Sequence, residues 1–235
     1  MNKLLELPSL LPWADWLALV AFFAAWAVYA TLARRHGLSR PSVLSSSNRV
    51  RRQWMLQSTY REVRVLDGLV VQNLSASASF FASTTIFIIG GLLAVLGTTE
   101  QASDLVREIP FAVRTTLLVF DFKVSVLGAI FIYAFFRFTW SIRQYSMGAL
   151  LVAAAPESKD FADDAQRHAF ADRAGRLMGM AAETFNDGLR AYYMAFAVIA
   201  WFVSPWALLA ATAGVLLVLY RREFRSQVLQ VLEEL

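Results

Sequence analysis

The chain of 235 residues is 57% apolar and 14% aromatic, and 17% of it is charged, where a soluble domain carries about 25%. It has no cysteine, which excludes a disulfide framework and a thiolate metal site, and neither of its histidines, His36 and His168, stands in a metal-ligand spacing such as HExxH. The net charge of +4 reads as the arginine excess of cytoplasmic loops in a membrane protein, so nucleic acid is not expected as a partner, and no motif calls for a cofactor.

The first apolar run covers about 13–33, close to the roughly 20 residues a helix needs to cross a bilayer core. Arg34 and Arg35 follow it rather than precede it, and the small-residue pattern Ala25-Trp26-Ala27 lies inside it. This is the order of a retained first span rather than of a cleaved secretory signal. Between Arg34 and Arg64 stand eight arginines and one acid, Glu62. Such a loop stays on the cytoplasmic side, which places the N-terminus outside. Pro41 and the serines Ser45 to Ser47 are expected to break regular structure here, with Asn48 capping a helix that begins at Arg49. Arg49, Arg51, Arg52, Arg61 and Arg64, interleaved with Trp54, Met55 and Val63, have the composition of a helix in the headgroup layer and are candidate lipid-headgroup contacts.

A second span is expected over about 68–97, leading into an external loop with Glu100, Asp104 and Glu108. Pro110 opens the third, about 113–137, which returns the chain to the cytoplasm near Arg137 and Arg143. A water-compatible helical region, about 150–187, follows. Its apolar stripe of Phe161, Ala165, Ala169, Leu177, Ala181 and Phe185 marks an amphipathic cytoplasmic helix. In the last apolar region Ser204-Pro205 favours a break, giving two short spans over about 188–203 and 206–221. Arg221, Arg222 and Arg225 then stay inside. The expected fold is an all-α integral membrane bundle forming one domain. It has five spans, N-out and C-in, with four spans and a bent last helix as the alternative.

Three constellations carry possible chemistry. Asp121 and Lys123 interrupt the third span, and residues two apart on a helix point in nearly opposite directions, so each needs its own partner. They fit a wet outer boundary, a charged ring in an oligomeric pore, or a buried ion pair in which Asp121 meets an arginine such as Arg114 of a neighbouring subunit. On the second span Ser75, Ser79 and Ser83 recur every fourth residue, as close helix packing or a hydroxyl-lined path requires. Glu183, Asp187 and Arg190 share one helix face where the cytoplasmic helix becomes a span. They make either an ion-paired rung or a cation site at a pore mouth. No nucleophile, histidine partner or phosphate loop accompanies these acids, so no enzyme is expected.

The segments "RRQWM", "FFASTTIFIIGGL", "FRFTWSIRQY" and "LRAYYMAFAVIAWFVSPW…VLYRREFRS" resemble an uncharacterised family of bacterial and plant membrane proteins, domain of unknown function 599. The resemblance runs from about Leu17 to Ser226. It implies a multi-spanning membrane protein and supplies no activity, cofactor or site residue. The functional expectation is a homo-oligomer of the bacterial inner membrane that passes a small ion passively. A non-catalytic scaffold or anionic-lipid-binding protein is the alternative.

Overall fold

Proline and serine chemistry sets most of the helix boundaries. The computed structural model describes residues 11–39, 41–107 and 116–234, with side chains at 11–33, 41–106 and 116–234. Among the described residues every regular element is helical. Glu108, Pro110 and Arg114 lie outside the described residues, as do the side chains of Arg34, Arg35 and His36.

Helix α1 (Trp13–Ser39) begins directly after Pro12, whose carbonyl accepts from the Asp15 N–H at 2.9 Å. Helix α2 (Val43–Ser58) starts earlier than Asn48 would set it. Ser42 is the N-cap: its hydroxyl accepts from the Ser45 N–H, and the Ser45 hydroxyl accepts from the Ser42 N–H in return. Ser45 to Ser47 therefore lie inside a helix instead of breaking one, because a reciprocal capping box satisfies two of the orphan N–H groups at its start. The chain turns at residues 59–64 before α3 (Val65–Gly97), and a short α4 (Thr99–Arg107) follows.

Helix α5 (Leu117–Ala153) runs well past the expected inner boundary at 137, so residues 150–153 end this helix rather than begin a cytoplasmic one. Pro156 follows the break, and a single 3-10 turn, Ser158–Asp160, leads to α6 (Asp164–Ala200). The expected amphipathic helix and fourth apolar segment are one continuous helix. Four residues, 201–204, separate it from α7 (Pro205–Phe224). There Ser204 accepts from the Ala207 N–H at 3.0 Å and Pro205 takes the first helical position, where its missing N–H costs nothing. Helix α8 (Gln227–Glu233) is capped by Ser226. Among the described residues three helices are long and apolar enough to cross a membrane, within Trp13–Ala33, Val65–Gly97 and Leu117–Ala153.

The chain gathers into two compact units. The first draws on Met1–Arg35, Ile86–Tyr133 and Arg190–Arg221. Its core takes Ala18, Leu19 and Phe22 from α1, Val124, Leu127 and Ile130 from α5, and Met194 and Val198 from α6. These spacings of three and four residues make one apolar stripe per helix.

The second unit draws on His36–Thr85, Ala134–Leu189 and Arg222–Leu235. Met55, Val71, Tyr145, Val152, Ala174 and Met178 form its core, and the rings of Phe81, Phe138 and Phe185 meet at centroid distances of 5.4–5.7 Å. Helix α2 lies closely on α6 because Gly175 and Gly179, four apart, leave room for it. A Cβ on Gly175 would stand 2.9 Å from the Arg52 Cα, and one on Gly179 3.0 Å from the Asn48 Oδ1. Small residues at this spacing admit a neighbouring backbone.

Candidate functional site

The most deeply buried charges of the first unit lie together. Lys123, 2% exposed, donates from Nζ to the Trp201 carbonyl at 2.9 Å and stands 3.6 Å from Asp15 Oδ1. Asp15, 5% exposed, accepts from Trp201 Nε1 at 2.7 Å. The Lys123 ammonium also lies 5.2 Å from the Trp201 ring centroid.

The local reasons are separable. Asp15 sits in the first turn of α1, where a negative charge complements the exposed N–H groups of a helix start. Trp201 follows the last residue of α6, where carbonyls lose their helical partners. A cation at that point meets both the end of a helix dipole and a real acceptor. Asp15 and Lys123 carry opposite charges and share their hydrogen-bond partner, so the cluster is close to neutral and internally closed. Its chemistry is that of a lock among α1, α5 and the α6–α7 turn.

Asp121, two residues from Lys123, has a different partner: it accepts from the Thr99 hydroxyl at 2.7 Å at the start of α4. Lys123 stands out in the sequence as a charge inside an apolar run, whereas Asp15 and Trp201 do not. Asp15 looks like the edge of the first span and Trp201 like one more aromatic in the last. A carboxylate in the first turn of an apolar run is the local hint that the sequence offers.

The second unit repeats the chemistry. Asp67 is fully buried and accepts from Trp54 Nε1 at 2.7 Å and from Arg61. Arg64 donates to the carbonyls of Ser58, Ala155 and Pro156, strapping the 59–64 turn to the end of α5. Two of the five candidate headgroup arginines, Arg61 and Arg64, are thus held by partners within the unit. Arg51 donates to Asn48 Oδ1 at 2.9 Å, and burial pushes its guanidinium below the ordinary value while nearby Tyr145 acts in the opposite direction. Arg49 and Arg52 are exposed: the first reaches the Leu232 carbonyl at 3.3 Å, and the second lies 3.8 Å from Asp172.

Among the candidate polar-path residues, Asp187 is buried and ion-paired with Arg137 of α5, and Glu183 is half-buried. Arg190, also buried, lies 6.0 Å from the Tyr29 ring centroid in the first unit. Ser75 and Ser79 are half-buried and Ser83 is exposed, and the Ser79 hydroxyl donates to the Ser75 carbonyl of its own helix. The buried face of α3 consists instead of Asp67, Val71, Ala78, Ala82 and Thr85. Ala78 and Ala82 are the small residues buried there, and the serine stripe runs beside them. Gln72, Asn73, Ser77 and Ser83 lie exposed on the same helix.

Neither a curated protein nor a solved structure matches the chain. A family model, described as protein of unknown function DUF599, matches residues 17–228. That covers nearly all of the helices described above, and the chain belongs to the DUF599 family.

Proposed function

We propose that the protein is a non-catalytic, homo-oligomeric component of the bacterial inner membrane, with five spans, N-out and C-in, whose basic cytoplasmic face holds anionic lipid. The observation that carries this reading is the division of charge. Lys123, within the apolar helix α5, and Asp187 of α6 are buried and paired, whereas Arg49 and Arg52 of α2 are exposed. Charges locked in this way support the architecture and leave little for a substrate, while exposed arginines beside a span attract anionic headgroups.

Reconstitution into vesicles of mixed phosphatidylglycerol and phosphatidylcholine tests it. The lipid shell retained by the purified protein should be enriched in phosphatidylglycerol, and Arg49→Gln with Arg52→Gln should lower that enrichment. A shell of the same composition as the bulk membrane removes the reading.

Passive passage of a small ion is the second reading, and the exposed polar side chains of α3 favour it. Gln72, Asn73, Ser77 and Ser83 are poorly suited to hydrocarbon, and copies of α3 arranged around an axis would give them water. Ion flux into liposomes that hold the wild-type chain, abolished by Ser83→Leu, is the result this reading requires.

A further inference from the structure

We propose that the outward face of α5 between Phe136 and Met147 is a binding site for one anionic phospholipid. The headgroup phosphate would sit on Arg143 and the acyl chains along Trp140 and Phe136. A groove of about 770 Å³ opens on this face. Phe136 is 63% and Trp140 48% exposed, and Arg143 is exposed one turn further on. Among the described residues Arg143 has no acidic partner, unlike Arg61 and Arg137, which each hold a buried carboxylate.

Spacing and chemistry together select the ligand. Residues 136, 140, 143 and 147 follow the three- and four-residue intervals that put side chains on one helix face. Phe136 to Arg143 covers about 10 Å of helix axis at 1.5 Å per residue. A guanidinium fork matches a phosphate's paired oxygens, and an indole one turn away suits the interface between hydrocarbon and headgroups. Free phosphate would satisfy Arg143 but leave Phe136 and Trp140 uncovered. A neutral lipid chain would do the reverse. The Thr139 and Ser146 hydroxyls donate to carbonyls of their own helix, at 3.0 Å in both cases, so they add small polar lining without competing for the cation.

The inference deepens the lipid-holding reading above, and it rests on that reading's membrane setting while using different residues. The test takes the full chain in detergent, stripped of endogenous lipid and titrated with dioleoyl-phosphatidylglycerol. Bound lipid is counted by native mass spectrometry. One lipid should persist at the lowest concentrations. Arg143→Gln should weaken that first binding step about fivefold, the scale of one arginine's attraction to an anionic surface. Arg143→Lys should retain only part of it, because an ammonium keeps the charge but loses the paired donors. Trp140→Ala should also weaken it, and inorganic phosphate at the same concentration should not displace it.

Helical content and thermal unfolding of each variant are measured alongside, so a misfolded variant is recognised and the judgement moves to the folded ones. Unchanged first-step binding in both Arg143→Gln and Trp140→Ala overturns the site. If the Arg49→Gln, Arg52→Gln pair abolishes that step instead, only the site falls and the broader lipid reading stands. If the wild-type chain does not discriminate phosphatidylglycerol from phosphatidylcholine, both fall. Displacement by inorganic phosphate, or occupation of the face by a co-purifying protein, also overturns the proposal.

Discussion

Each of the two compact units contains a buried carboxylate that accepts from a tryptophan N–H and faces a cation. In the first unit the set is Asp15, Trp201 and Lys123; in the second it is Asp67, Trp54 and Arg61. Both carboxylates are buried, but the two cations differ. The Lys123 side chain is 2% exposed and that of Arg61 40%. Lysine is a compact point charge that also occupies a carbonyl at a helix end, while arginine reaches Asp67 from the rim and keeps part of its guanidinium outside. The same three-part chemistry therefore has different consequences when the cation is removed. In the first unit nothing replaces it, whereas in the second solvent or headgroups can approach through the space it leaves.

The most severe way to break the comparison is Lys123→Met. It strands Asp15 and leaves the Trp201 carbonyl without its donor, and truncating one partner of a buried pair costs roughly 3–5 kcal/mol. Thermal unfolding in a fixed detergent should register a large drop. Adding Asp15→Asn to that variant should recover most of it, since asparagine remains an acceptor for the Trp201 N–H and carries no charge. If the double variant is no more stable than the single one, Lys123 acts through its cap on Trp201 and not through the ion pair.

Gly175→Leu is expected to come next. A Cβ already meets the Arg52 backbone, and overpacking of this kind typically costs about 1–3 kcal/mol. The effect should appear as release of α2, measured as faster hydrogen exchange at residues 43–58, with α1 unaffected. Arg61→Gln should cost less, on the order of 1 kcal/mol, because partial exposure of the guanidinium screens the pair. A loss as large as that of Lys123→Met would erase the distinction between the two triads.

The extent to which these features are readable from sequence follows the range of the forces involved. The three long apolar runs, the break near Ser204-Pro205 and the need of Asp121 and Lys123 for separate partners all follow from local pattern and side-chain direction. The structure has three long apolar helices, a helix start at Pro205 and different partners for the two charges. The serines at 45–47 misled because serine favours both turns and helix caps. Which role wins depends on Ser42 three residues upstream and on the glycines of α6 that receive α2. Asp15 and Trp201 were illegible for a different reason. Their partnership with Lys123 joins three segments far apart in the chain, and without the fold neither Asp15 nor Trp201 carries a signal beyond its own type.

Asp121 makes the finest test, because it differs from Lys123 by two residues and by everything in its surroundings. It is half-buried, and among the described residues it accepts one hydrogen bond, from Thr99. Asparagine keeps an oxygen acceptor in the same place, so Asp121→Asn should change stability by about 0.5 kcal/mol or less, below the typical net worth of a whole hydrogen bond. If Asp121 also lined a water-filled ion path, losing its charge would alter cation flux in liposomes at unchanged stability, since selectivity in a narrow pore follows its fixed charges. Normal flux with normal stability therefore makes Asp121 an anchor for the start of α4. A marked loss of stability would instead mean that its negative charge is held by a partner other than the Thr99 hydroxyl. In that case the contrast with Lys123, a locked charge beside a lightly tethered one, would no longer hold.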